Sequence, residues 1–322
     1  MKEEIVKRFL EEGVLLTPDA LGKITESNLQ AALDKAVQSK SAVFSFHADG
    51  QQPAITIEVR KLQKKVKLSP QDFAKHYNAM FEGLRGMLQK KMEDAVSVAN
   101  AKKSGSSIST IGMVREQTQR GFIIEDTTGN AEVISKSEDV GIDDVIGVKA
   151  GVKEERLFAE EIIWPDIPMS RKHSRPEMEI ILADKKKEGG EAAFCSESGC
   201  EGEIVITPEA VYADRKKTSL PNPGWITITK DGANVTILVY RPDKPASQKE
   251  VLTWLRKRHI SPDKNQVRGT DDPFLIEPIP DLVWIISGEQ WVEMYKSVIV
   301  VSSDGKVPAD VDLATGKVKF EK

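Results

Sequence analysis

The chain has 322 residues, 39% of them aliphatic or aromatic and 30% charged, long enough for two or three domains that each bury a core. No apolar run approaches the roughly 18 residues of a membrane span, and no basic start leads into an apolar stretch, so an intracellular, cytoplasmic protein with no membrane partner is expected. The formal net charge of −4 is unevenly spread: residues 1–103 carry 17 Lys+Arg against 13 Asp+Glu, residues 104–168 carry 6 against 13, and residues 169–322 carry 23 against 24. The middle segment is the acidic one.

At the start, Ile5, Phe9 and Leu10 fall on one helical face and Gly13 is a stop signal. Thr17 with Pro18 reads as a helix start, and Leu29, Ala32, Leu33 and Ala36 repeat the apolar pattern, which predicts a small helical domain over residues 1–50. Residues 51–107 form a basic connector and a linker helix. "AITIEVRKLQKKVKL" alternates apolar and polar residues and then turns basic, as an edge strand or extended connector would. Its Arg60, Lys61, Lys64, Lys65 and Lys67 are the candidate DNA contacts; a solvated charged face is the simpler reading. In "SPQDFAKHYNAMFEGLRGMLQKK", Ser69, Pro70 and Asp72 make a helix start, and Phe73, Tyr77, Met80, Leu84 and Met87 line one packing stripe. His76 lies off that stripe and is expected at the surface.

From Ile108 the period becomes that of strands. "SISTIGMVREQTQRGFIIEDTTGNAEVIS" reads as three strands and "DDVIGVKAGVKEERLFAEEIIWPDIP" as two more. Gly112 and Gly121 sit where a tightly coiled sheet must bend, so residues 108–168 are expected to form a five-stranded OB barrel. Beyond residue 169, apolar strands ("EMEIILAD", "EGEIVIT", "GWITITKDGANVTILVY", "PFLIEPIPDLVWIIS", "KSVIVV") flank the helix "SQKEVLTWLRKRH", which indicates an α/β or α+β domain. Cys195 and Cys200 in "CSESGC" lack a second ligand pair for zinc and are expected in a solvated loop. No glycine-rich phosphate loop, CxxC pair or nucleophile motif with a nearby His is present, and no cofactor is expected.

Taken together, "DFAKHYNAMFEGLRGML", the run from "STIGMV" to "LFAEEIIWPDIP", and "LRKRHISP", "IEPIPDLV" and "GKVPADVDLATGKV" resemble the small subunit of the archaeal family-D DNA polymerase. The resemblance covers most of the chain. It implies a multidomain α+β protein: a helical N-terminal domain, an OB barrel, and over residues 169–322 a shortened metallophosphoesterase-like α/β sandwich. In that family the last domain carries a 3'-to-5' proofreading nuclease of the calcineurin-like phosphoesterase type, which uses two metals. Asp184 occupies the first ligand position, but Lys186 and Arg241 stand where imidazoles belong, and the Gly-His-x-His and Asn-His-Asp blocks are missing. A fixed cation at such a position repels divalent metal. The residues supply the same argument without the resemblance: the last domain has only His173 and His259, one in a polar segment before the first strand and one at a helix end that suits a cation.

The resemblance therefore implies a degenerate site that holds no metal, in a noncatalytic accessory subunit within a DNA-directed DNA polymerase complex. Its partner is the large catalytic subunit; DNA is reached mainly through the complex, and a sliding clamp is a further candidate partner. An acidic barrel whose only aromatics are Phe122, Phe158 and Trp164 is poorly suited to nucleic acid, which needs cations and stacking faces. Phe122, Trp164, Trp254 and Trp291 are the candidate interface anchors. Two alternatives stay open: an active exonuclease or phosphoesterase with a rearranged metal site, and a free-standing binder of single-stranded DNA.

Overall fold

The computed structural model describes residues 2–16, 21, 24–25, 29–38, 43–44, 55–62, 69–104, 107–137, 139–171, 175–184, 204–213, 216–260 and 272–321. Thr17, Pro18, Lys64, Lys65, Lys67, His173, Lys186, Cys195 and Cys200 lie outside the described residues. The chain divides into two compact units, Met1–Thr56 with Thr229–Gly232, and Ile57–Ile228 with Ala233–Lys322.

In the first unit, α1 (Lys2–Glu11) and α2 (Leu29–Gln38) share a core of Ile5, Phe9, Val14, Ile24, Ala32, Leu33 and Ala36. A short parallel pair, β1 (Leu15–Leu16) with β2 (Val43–Phe44), joins them. Leu10, expected on the buried face, is 52% exposed, because Ile5 and Phe9 already define the inward stripe and Leu10 is turned about 100° from Phe9.

The second unit starts with β3 (Thr56–Val59), an edge strand, and then α3 (Pro70–Gln89). Ser69 and Asp72 form a reciprocal capping box with Pro70 at the first turn; the Ser69 hydroxyl and amide both donate to the Asp72 carboxylate and hold its pKa below the usual range. Met80, Leu84 and Met87 are buried as the stripe predicts, but Phe73 is 38% exposed and His76 only 4%. The expectation for His76 is overturned because α3 is covered on a second side: a Cβ on Gly83 would meet Leu275 at 2.9 Å.

A closed barrel follows, with β4 (Ile108–Thr118), β5 (Gly121–Asp126), β6 (Gly129–Ile134), β7 (Val145–Lys153) and β8 (Arg156–Ile163) in the order β4-β5-β6-β8-β7. All contacts are antiparallel except β6 with β8. Its core contains Val114, Phe122, Ile124, Val133, Ile146, Val148 and Leu157. A one-turn helix, α4 (Val98–Ala101), plugs one end: Val98 and Ala101 are fully buried, and Asp126 and Thr128 accept the amides of Val98 and Ala99. Gly121 is required where it stands, since its φ is +156° and a Cβ would lie 2.0 Å from the Val133 carbonyl oxygen.

Two six-stranded sheets complete the unit. The first has the order β12-β11-β10-β9-β18-β19, built from β9 (Glu179–Leu182), β10 (Ile204–Ile206), β11 (Ala210–Ala213), β12 (Lys216–Ser219), β18 (Ala309–Asp312) and β19 (Lys317–Phe320). The second runs β16-β17-β15-β14-β13-β3, with β13 (Gly224–Lys230), β14 (Ala233–Tyr240), β15 (Leu282–Ile286), β16 (Trp291–Tyr295) and β17 (Val298–Ser303). Strands β14, β15 and β17 are parallel and carry the apolar runs Ile237–Tyr240, Leu282–Ile286 and Val298–Val301, as a sheet covered on both faces requires. Leu238, Tyr240, Val283, Ile285, Val298 and Val300 face α5 (Gln248–Lys257). The alternate residues Ile237, Val239, Leu282, Trp284, Ile299 and Val301 are also buried, on the side of the first sheet; there Gly316, in the β18–β19 turn, approaches Met294 and Ile299. Strands β11, β12 and β16 were not legible in advance, being short and, in β12, wholly polar.

Candidate functional site at the carboxyl rim of the sheets

In parallel sheets, ligands gather at the carboxyl ends of the strands. Here those ends are Asp184 after β9, Arg241 after β14, Ser287 after β15 and the Asp304–Lys306 turn after β17. Strand parity sorts them. Ile180 and Leu182 are fully buried, so Asp184 continues their face, and Arg241 continues that of Ile237 and Val239. Asp184 is half-buried and its amide donates to the Gly305 carbonyl at 2.7 Å. Gly305 has φ +75° and a Cβ there would touch the Asp184 amide at 2.8 Å, so glycine alone permits this closure.

One pair of charges at the rim is already matched. Asp304 accepts the Lys306 ammonium at 2.9 Å; that bond, then the charges of Asp304 and Asp184, raises the Lys306 pKa. Arg241 is exposed, its backbone clasped by Asn222, whose amide nitrogen donates to the Arg241 carbonyl at 2.7 Å while its oxygen accepts the Arg241 amide at 2.9 Å. The Ser287 hydroxyl is buried with no hydrogen-bond partner among the described residues. Among the described residues no group of three or more His, Cys, Asp or Glu is placed to hold a metal ion. The described rim thus offers two carboxylates, one neutralised by an ammonium, beside a fixed guanidinium. That donor set does not fit a two-metal centre.

His259 lies elsewhere. It follows Arg258, which ends α5 in the left-handed conformation, and its Nε2 sits 2.7 Å from Asp272 Oδ2 in a buried pair. Reading it as a dipole-favouring helix end missed this partner, which is distant in sequence. In the "RKRH" run Arg256 and Lys257 reach the barrel side, while Arg258 and His259 bond to the 272–276 segment. Arg256 stacks on Trp164 at 4.5 Å and reaches Asp139 at 3.3 Å. Lys257 pairs with Asp144 at 2.7 Å, and Arg258 donates to the Ile276 carbonyl at 2.8 Å. From the barrel side, Lys91 donates to the carbonyls of Trp164, Pro165 and Asp166, while Tyr295 and Lys296 hold the Asp166 carboxylate. Burial, then the hydrogen bond to Asp166, pushes the Tyr295 phenol up.

Of the proposed interface anchors, Phe122 is fully buried in the barrel and cannot present itself to a partner. Trp164 is half-buried beneath Arg256. Trp254 packs edge-on against Tyr240 at 5.7 Å, and Trp291 lies half-buried on the same core. Trp225 and Trp284 are core residues. Arg60 and Lys61 are exposed at the end of β3, where the Arg60 amide bonds the Trp225 carbonyl.

The architecture defines a β-rich multidomain protein in which a closed barrel is bolted to a two-sheet sandwich. Comparison of sequences narrows this. The chain is similar to the DNA polymerase II small subunit of Archaeoglobus fulgidus, 29% identical over 110 residues, and to that of Thermoplasma acidophilum, 25% identical over 189 residues. The two alignments take in 31% and 52% of this chain but 22% and 39% of those proteins, so less than half the length of either relative is matched. No family profile matches the chain. The similarity supports a relationship to the family-D small subunits.

Proposed function

We propose that the chain is a noncatalytic accessory subunit of an archaeal replicative DNA polymerase of family D, and that it scaffolds the large catalytic subunit. The similarity to DNA polymerase II small subunits across about half of the chain carries this reading. On it, the barrel is an OB fold, for which the order β4-β5-β6-β8-β7 speaks. The two sheets are then a shortened phosphoesterase sandwich, and the domains fall at 1–50, 51–107, 108–168 and 169–322.

The proofreading nuclease is lost on this reading. Asp184 is the vestige of the first ligand, and Lys186 and Arg241 replace imidazoles. Repulsion between those cations and two divalent metals supports the loss. The barrel serves as a protein-docking unit, since its aromatic side chains are covered (Phe122), stacked (Trp164) or single (Phe158, 42% exposed), which leaves no stacking platform. DNA then comes to the chain through the complex, with Arg60 and Lys61 the exposed cations nearest to a direct contact.

Co-expression with the large family-D subunit of the same organism tests the reading: a stable, salt-resistant complex is expected. The same preparation, given Mn²⁺ and single-stranded DNA, is expected to leave the 3' end intact. Degradation that Asp184→Ala abolishes would instead establish a working, rearranged metal site. Steeply salt-dependent DNA binding by the isolated chain, with no complex formed, would establish a free-standing single-strand binder.

A further inference from the structure

Three of the four outer strands of the sandwich are guarded by charge and one is not. β12 is Lys-Lys-Thr-Ser with all four residues exposed, β19 alternates Lys317 and Lys319 with Val318 and Phe320, and β3 carries Glu58 and runs into Arg60 and Lys61. Such charges deter another chain from pairing with an open strand edge. Among the described residues β16 is the outer edge of the second sheet, bonded to β17 alone. Its one charged residue, Glu293, is turned toward α5, where it accepts from Gln248 at 2.9 Å. The opposite face presents Val292 and Met294, 42% and 46% exposed. No described strand bonds the alternate amide and carbonyl groups along the outer edge.

Beside this edge lies a cavity of about 500 Å³, lined by Lys249, Leu252, Thr253 and Arg256 of α5, by Tyr295 of β16, and by Asp139 of the barrel. Lys249 has no ion-pair partner among the described residues. The buried Arg256 Nε, on the groove, and Trp291 Nε1, on β16, make no hydrogen bond among the described residues. Of the described charges at the groove, Arg256 is bridged to Asp139 and Glu293 is held by the lining Gln248, which leaves Lys249 as the unpaired cation.

We propose that β16 seats an extended segment of a partner protein as an added strand, with apolar side chains over Val292 and Met294 and acidic ones in the groove toward Lys249 and Arg256. Backbone pairing supplies the affinity and the alternation supplies the choice of segment. A second copy of this chain fits poorly, because joining β16 to β16 brings a second α5 alongside and sets its Lys249 and Arg256 against their counterparts. The inference does not depend on the polymerase reading.

The test uses the full chain and a fluorescein-labelled peptide of about six residues, the length of an ordinary strand, in which valine and glutamate alternate. Saturable binding is expected, together with slowed amide exchange across residues 291–295. Val292→Lys and Lys249→Glu, both at exposed positions and checked for unchanged melting, should each weaken binding by about tenfold or more. The proposal is overturned by absence of saturable binding, by wild-type affinity in either variant, or by undiminished binding of the backbone N-methylated peptide. A wild-type dimer in sedimentation that Val292→Lys dissolves would overturn it too, by making a second copy the occupant.

Discussion

Lys257 Nζ stands 2.7 Å from Asp144 Oδ2, with the two side chains 18% and 7% exposed, so the last turn of α5 is fastened to the barrel by an ion pair largely removed from water. Burial raises the Asp144 pKa, and Lys257 and the Gly141 amide only partly offset it. Lys257→Met leaves a buried carboxylate without its counter-ion and should cost about 2–4 kcal/mol by urea unfolding near neutral pH. Asp144→Asn in the same background should recover much of that loss. The sign with pH follows: a carboxyl whose folded pKa lies above its unfolded value gains relative stability as pH falls through the folded pKa. The Lys257→Met penalty should therefore shrink in acid; a penalty that grows there would refute the assignment.

Asp272 behaves in the opposite sense. Burial pushes its pKa up, yet the hydrogen bond and charge of His259 outweigh this and hold it below the usual carboxylate range. A depressed carboxyl contributes stability above its unfolded pKa and loses it as pH falls through the folded one. In His259→Gln the acid unfolding midpoint should move to higher pH, read by circular dichroism, while the midpoint of Lys257→Met should not.

Gly147 on β7 makes room for Met92. A Cβ there would fall 2.1 Å from the Met92 sulfur, and Met92 is 1% exposed. Gly147→Ala should destabilise by about 1–3 kcal/mol through overpacking. Adding Met92→Ala should relieve the clash, so the two changes should be non-additive in a denaturation cycle.

Trp164 is the floor on which Arg256 rests. Trp164→Leu keeps an apolar side chain but removes the aromatic face, and should cost about 1–2 kcal/mol. Hydrogen exchange should quicken in the last turn of α5, with the barrel core around Phe122 unaffected.

The rim around Asp184 should not take up divalent metal. A ligand at a hundred times its Kd stabilises the folded state by about 2.7 kcal/mol. Millimolar Mn²⁺ or Mg²⁺ is expected to leave the melting temperature of the full chain unchanged, and a rise that Asp184→Ala removes would contradict the reading of a vestigial ligand.

Period and punctuation made much of the architecture readable in advance. The five barrel strands, the helix start at Ser69 and the apolar core strands of the last domain each follow from local alternation, an apolar run or a start signal, and such signals need no knowledge of neighbours. That residues 169–322 hold only two histidines, His173 and His259, was likewise readable. What tertiary structure decided was partnership. His76 is buried because a segment near Leu275 covers α3, and His259 finds Asp272 across a gap in the chain. Phe122 points into a closed barrel, whereas Trp164 stays at the junction. The unguarded edge of β16 is visible only once β17 is known to be its one neighbour among the described strands. Burial and pairing depend on which remote surfaces meet, and a periodic pattern records that a face is covered without recording by what.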